Sequence, residues 1–158
     1  MLKKRLLIVY HSEKQHTMFM AYSIGHGAEN RGIVVDIMEV EKCRPESMIE
    51  YDGIVVGSPT FFSNMSWNVK KFIDESASLR TSDYLLGGKI GGAFTSSATI
   101  VDGEECLRMI ELALGLHHKM KLIPGLVVTS KETENNFADK CQEYGEKIAE
   151  KIHDENIK

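Results

Sequence analysis

Apolar residues along this chain gather in short unbroken runs, separated by longer stretches in which they recur every three or four positions. Leu6 to Tyr10 is the first run. It is continuous and β-compatible, the pattern of a strand covered on both faces in a parallel sheet. Met18, Ala21, Tyr22, Gly25 and Ala28 then keep helical spacing up to Asn30-Arg31-Gly32, where Gly32 supplies a stop. "IVVDIMEV" from Ile33 and "GIVVGSP" from Gly53 predict two further strands, and "EKCRPESMIEYD" between them a crossover carrying a short helix. Trp67, Val69, Phe72 and Ile73 predict a helix, followed by a loop of small and polar residues from Ser76 to Gly88. "KIGGAFTSS" predicts a fourth strand that ends in hydroxyls. After a turn at Asp102-Gly103, the residues Cys106, Met109, Ile110, Ala113, Leu114 and His117 share one helical face. "MKLIPGLVVT" predicts a fifth strand interrupted at Pro124-Gly125, and Phe137, Cys141, Tyr144, Ile148 and Ile152 trace a closing amphipathic helix. Strands alternating with helices, without repeats or linkers, predict one doubly wound α/β domain over residues 1–158.

Composition narrows the function classes. At 158 residues and 42% hydrophobic content the chain can bury a core without disulfides or metal. The net charge of -4 comes from mixed charges with no basic block, so neither nucleic acid nor an anionic membrane is an expected partner. Cys43, Cys106 and Cys141 are odd in number and lack a C-x-x-C pair, which points to a reducing compartment. The start "MLKKRLLIVY" has a basic patch before an apolar run, but that run is short and leads into His11-Ser12 rather than a small-residue cleavage site. The expected location is the cytoplasm.

In sheets of this class ligands bind outside the carboxyl ends of the strands, so the residues that follow each strand carry the chemistry. The first strand is followed by "HSEKQHT", the third by "SPTFFSNMSW" and the fourth by "TSSATIVDGEE". Each supplies hydroxyls and backbone donors, and the second adds two adjacent aromatics. One loop at a helix N-terminus holds a phosphate, and the other two flank a planar polar ring.

"LIVYHSEKQHT", "YDGIVVGSPTFFSNMSWNVKKFID" and "GGKIGGAFTSSATIVDGEE", in this order and spacing, resemble the flavodoxin-like NAD(P)H-dependent FMN reductases and quinone reductases, most of all the tryptophan-repressor-binding-protein type of quinone oxidoreductase. The likeness covers nearly the whole chain. It implies a flavodoxin-like five-stranded parallel sheet in the order 2-1-3-4-5 with helices on both faces. It also implies a bound FMN, with NADH or NADPH as electron donor and a quinone, flavin or other small molecule as acceptor. Ser12, Glu13, Lys14, Gln15, His16 and Thr17 would hold the FMN phosphate. Pro59, Thr60, Phe61, Phe62, Ser63 and Asn64 would line the isoalloxazine, with Thr95, Ser96, Ser97, Ala98 and Thr99 along its other side. Relatives usually carry glycine where this chain has Gln15 and Ser63. Val101 stands where many quinone reductases place a histidine near the flavin, and Arg80 where they place a tryptophan, so both become candidate substrate-binding residues. Dimers or tetramers are common in the family, and Leu112 and Leu116 offer apolar surface for either.

Plainer roles accompany these. One of Phe61 and Phe62 is expected to pack inward. Thr95, Ser96 and Ser97 can cap the segment that follows them. His117 and His118 are expected to stabilise a helix C-terminus, and the chain has no acidic or cysteine partners at metal-ligand spacing beside them. Arg80 has two readings, a partner for the 2′-phosphate of NADPH or a solvated loop charge. A phosphate-accepting response regulator would need acidic residues where Ser58 and His11-Ser12 stand. A nicotinamide-binding Rossmann domain would need G-x-G-x-x-G after the first strand, and a cysteine phosphatase a thiol in the first loop. No side chain is expected to act as a catalytic acid or base, because hydride transfer to a flavin depends on positioning. A flavodoxin-type carrier serving protein partners is the alternative. The uncharged "SPTFFSNMSW" and the cost of positive φ at Ser63 weigh against it.

Overall fold

The computed structural model of the chain describes residues 2–132 and 137–155. Its elements begin with β1 (Arg5–Tyr10), α1 (His16–Glu29), β2 (Val34–Glu39), β3 (Gly53–Phe61), β4 (Asn64–Met65) and α2 (Trp67–Glu75). They continue with β5 (Ile90–Ser97), α3 (Ile100–Glu111), β6 (Lys121–Leu122), β7 (Leu126–Thr129) and α4 (Phe137–Asp154). β1 pairs in parallel with β2 on one side and β3 on the other, and β3 pairs in parallel with β5.

Side chains of β1 leave the strand alternately. Leu6, Ile8 and Tyr10 enter the layer under α1 and α4, while Leu7 and Val9 enter the layer under α2 and α3. All five are buried, which is why the run is apolar without a break. Full burial of one such aliphatic side chain contributes about 1.5–3 kcal/mol. On the first face α1 and α4 meet backbone to backbone. A Cβ on Gly27 would overlap the Gln142 carbonyl, and one on Gly145 the Ile24 carbonyl.

The expected five-stranded sheet in the order 2-1-3-4-5 is corrected to seven strands on the path β2-β1-β3-β5-β6, with β7 also on β5 and β4 folded back on β3. Two local causes account for the extra strands. Gly91 pairs with Leu122 and Phe94 with Leu126, so Gly92 and Ala93 on β5 face Ile123, Pro124 and Gly125 on the partner. That surplus residue is a bulge centred on a proline that cannot donate to the ladder. Gly125 N–H donates instead to Glu111 Oε1 at 2.9 Å. The hydroxyl of Tyr144 fills the gap, donating to Ala93 O at 3.1 Å and accepting from Ala93 N at 3.3 Å. The second cause is a two-residue turn at Phe62-Ser63, which lets Asn64 pair antiparallel with Phe61.

The short helix expected in the crossover after β2 takes the form of two 3-10 turns, Val40–Lys42 and Pro45–Glu50. One further expectation is corrected. Asp102 and Gly103 do not form a turn. Thr99 caps α3, its hydroxyl accepting from Asp102 N at 3.2 Å, so the helix begins at Ile100. α3 runs on into a π-helical turn at Leu112–His117. Among the described residues no helix is long and apolar enough to cross a membrane.

Candidate functional site

Carboxyl ends of β1, β3, β5 and β7 converge on one edge of the sheet, and the loops leaving them enclose a trough. The first loop enters α1 through Gln15, whose φ of 67° lies in the left-handed region that favours glycine. That turn brings His16 and Thr17, first-turn residues whose amides no helix can satisfy internally, into the lining of the trough. Ser12 closes the loop by accepting from Met18 N at 3.2 Å. His11 braces it from outside, with Glu13 Oε1 2.8 Å from Nε2 and Glu41 Oε1 3.1 Å from Nδ1. Thr17 is buried in the first turn of α1, and its hydroxyl is 2.9 Å from that of Ser96 across the trough floor.

One cleft is lined by Glu13, Lys14, His16 and Thr17 from this loop, Pro59, Thr60 and Phe61 from the end of β3, and Ser96, Ser97 and Ala98 from the end of β5. Val128 and Ser130 complete its wall. A second cleft is lined by Thr60, Phe62, Ser63, Ser97, Ala98 and Asp102. Thr60, Ser97 and Ala98 belong to both, so the two are one continuous trough, with helix amides and a lysine at one end and an aromatic turn at the other. Ser97 Oγ sits in the shared wall, buried and without a hydrogen-bond partner among the described residues. Buried hydroxyls are seldom left so, and a polar ligand lying along the trough would supply the missing partner.

Phe62 and Ser63 shape the aromatic end. Their φ values of 48° and 61° are those of a type I′ hairpin turn, which asparagine and glycine usually occupy. Phe62 is thereby fully exposed at 105%, and Phe61 is exposed at 44%, so neither aromatic packs inward as expected. Ser63 Oγ donates to Asp102 Oδ1 at 2.6 Å, and Thr99 Oγ1 donates to Asp102 Oδ2 at 3.0 Å. Those two hydroxyls hold the Asp102 carboxyl below its ordinary range. The "SPTFFSNMSW" loop is uncharged in itself, yet this carboxylate stands beside it.

Most of the expected site residues line this trough; Ser12, Gln15 and Thr99 shape its loops without lining it, and others lie away from it. Thr95 turns into the core, where its hydroxyl lies 2.7 Å from that of Thr60. Asn64 spends its side chain on Met65 N at 2.8 Å and faces a separate shallow cleft with Trp67 and Lys70. Val101 is 71% exposed in the first turn of α3, outside the lining of both clefts. Arg80 is carried to the opposite edge of the sheet, because α2 runs back from the end of β3 toward the start of β5. There its Nε donates to His117 O at 3.1 Å. His117 ends the π-helical turn and His118 caps it, the helix end expected for them, and His118 is buried there with Nε2 2.8 Å from Ser76 Oγ. Val128, Ser130 and Asp102 were not anticipated. "VVTS" ends in hydroxyls as the other three strand ends do, which is the signal that would have found Ser130.

Residues 36–135 match the family described as NADPH-dependent FMN reductase. The chain is 30% identical to a flavodoxin of Clostridium saccharobutylicum, over 94% of its own length and 97% of that protein. It is 31% identical to an NAD(P)H dehydrogenase (quinone) of Cupriavidus metallidurans, over 75% of its own length and 69% of the relative. Among solved structures it superposes on oxidised Flavodoxin 2 from Bacillus cereus with a TM-score of 0.79 and 26% identity, covering 93% of this chain and 99% of that one.

Proposed function

The chain belongs to the NADPH-dependent FMN reductase family, and from that premise we propose that it is an FMN-dependent oxidoreductase carrying electrons from NADH or NADPH to a quinone, a flavin or another small acceptor. The observation that carries this reading is the trough itself: an anion-accepting helix start at one end, an aromatic turn at the other, and the unpartnered buried Ser97 hydroxyl between them.

FMN fits these residues. The first-turn amides of α1 and the side chains of Ser12, Lys14, His16 and Thr17 are the donors for a phosphate, and the positive end of the helix favours its charge. Glu13 is the one unfavourable charge among the described residues of that lining, and the His11 contact holds its carboxylate. Pro59 to Ser63 and Ser96 to Ala98 form the two walls against which a planar ring lies, with Ser97 Oγ as a hydrogen-bonding group toward its polar edge. When bound, FMN supplies hydride acceptance at its N5 position and onward electron transfer. The protein's own contribution is orientation and exclusion of water. Exposed Phe61 and Phe62 give the ring end of the trough an apolar lip against which a flat donor or acceptor can settle. Half-exposed Leu112 and Leu116 are the surface proposed for association into a homodimer or homotetramer.

Titration of ligand-free protein with FMN and with riboflavin tests the phosphate assignment. FMN is expected to bind more tightly by about ten-fold or more, as one or two charge-assisted hydrogen bonds require. Equal affinities would contradict it. A second reading, a flavodoxin-type electron carrier, is favoured by one observation. The chain spans 97% of a flavodoxin but 69% of a quinone dehydrogenase. A carrier would be reduced by protein partners and not by a nicotinamide nucleotide.

A further inference from the structure

The turn at Phe62-Ser63 is an unfavourable one for its sequence. Both residues carry a side chain at positive φ, and nothing in the pair has the freedom of glycine. The strand pairing behind it is short, for β4 contributes only Asn64 and Met65. Holding such a turn in one geometry needs an attachment from outside the hairpin, and the structure contains one. Ser63 Oγ reaches the carboxylate of Asp102, and the second oxygen of that carboxylate is fixed by Thr99 Oγ1. The Asp102 amide in turn donates to Thr99 Oγ1, so the carboxylate is anchored to the start of α3 before it meets Ser63.

We propose that Asp102 is a positioning residue that tethers the Phe62-Ser63 turn to α3 and so preforms the ring-side wall of the trough. The proposal rests on the FMN reading for what the wall is for, but the tether itself stands on the geometry of the chain alone. The site has its two ends on different supports. The phosphate end is built by the loop into α1, while the ring end is built by β3, β5 and this turn. A tether at the ring end should therefore act on whatever part of the ligand lacks the phosphate, and act equally with or without it. Without Asp102 the turn is free to leave the left-handed region, and ordering it again would be charged against every binding event.

Two experiments separate the tether from the cofactor. Phe62 is fully exposed, so chymotrypsin cleavage after it in ligand-free protein reports how firmly the turn is held. Asp102→Ala and Ser63→Ala are each expected to speed that cleavage about five-fold or more, with the double variant no faster than either alone. Asp102→Asn keeps an oxygen for Ser63 and an amide for Thr99, and is expected to restore slow cleavage. Equal cleavage rates in wild type and Asp102→Ala would overturn the tether whatever the protein binds. The second experiment titrates the same variants with FMN and with riboflavin. Asp102→Ala is expected to weaken both by the same factor and to shift the visible absorption band of the bound flavin, which reports the surroundings of the ring. A loss confined to FMN, or weakened binding with an unmoved band, would contradict a ring-side role. Failure of wild type to bind either flavin would sink the FMN reading and leave the cleavage result to decide the tether.

Discussion

Gln15 shows how a single backbone angle can matter more than the side chain attached to it. Its φ of 67° explains why the position suits glycine: the requirement is left-handed backbone, while its side chain is exposed and makes no capping bond. A non-glycine residue there carries about 1–2 kcal/mol of steric cost, partly offset by the lower chain entropy it brings to the unfolded state. Gln15→Gly is accordingly expected to raise the thermal midpoint by roughly 2–4 °C, the shift that about 1 kcal/mol produces in a domain of this size. An unchanged or lower midpoint would mean the angle is not strained. Thr17 is legible from the sequence as a hydroxyl beside a helix start, but its partner is not, since Ser96 lies on a strand far along the chain. Thr17→Ala should weaken FMN binding about ten-fold and riboflavin binding less. Ser63 was legible as a residue in a place for glycine. Its bond to Asp102 was hidden, because the sequence reading put a turn at Asp102-Gly103 where α3 in fact begins.

At the scale of elements, apolar runs and helical periodicity gave every strand but β4, and the four α-helices of the described residues, since those patterns follow from which face each element buries. The divided fifth strand was visible at Pro124-Gly125, but its consequence was not. A proline only removes a ladder bond, and the repair comes from Tyr144 on a helix that the local pattern cannot connect to it. Removing that hydroxyl in Tyr144→Phe leaves the buried Ala93 N–H and C=O without the partner they share. The expected loss is about 2–3 kcal/mol in urea unfolding. A loss below half a kcal/mol would show that the bulge finds another partner. The crossover after β2 holds its short helix where expected, and Pro45 with the closely spaced polar residues around it suits the 3-10 form.

The whole molecule divides into a site edge and an opposite edge, and Arg80, expected at the first, lies on the second. His118 is buried there with Nδ1 lacking a hydrogen-bond partner among the described residues. Burial, helped by the Arg80 and His117 charges, holds its imidazole below the ordinary range. Above that range the group is neutral in both folded and unfolded chains and has no effect on stability. As pH falls through the ordinary imidazole value, near 6.5, the unfolded chain takes a proton that the folded one refuses, so stability declines until the folded-state value is passed. Urea unfolding at pH 7.5 and 5.5 should show a smaller decline for His118→Gln, which keeps a donor for Ser76, than for wild type. Equal declines would place the acid sensitivity elsewhere. The site edge was legible because its chemistry lies in three strand ends that are neighbours in the sheet, and the opposite edge was not because Arg80 and His118 meet there only through the return of α2. The central claim is that this trough brings a nicotinamide nucleotide to a bound flavin. The direct measurement is anaerobic mixing of FMN-loaded protein with NADH or NADPH while the visible flavin band is followed. Bleaching of the band by at least one nucleotide, and its return when a quinone is added, is the expected result; a band that neither nucleotide changes would contradict the account.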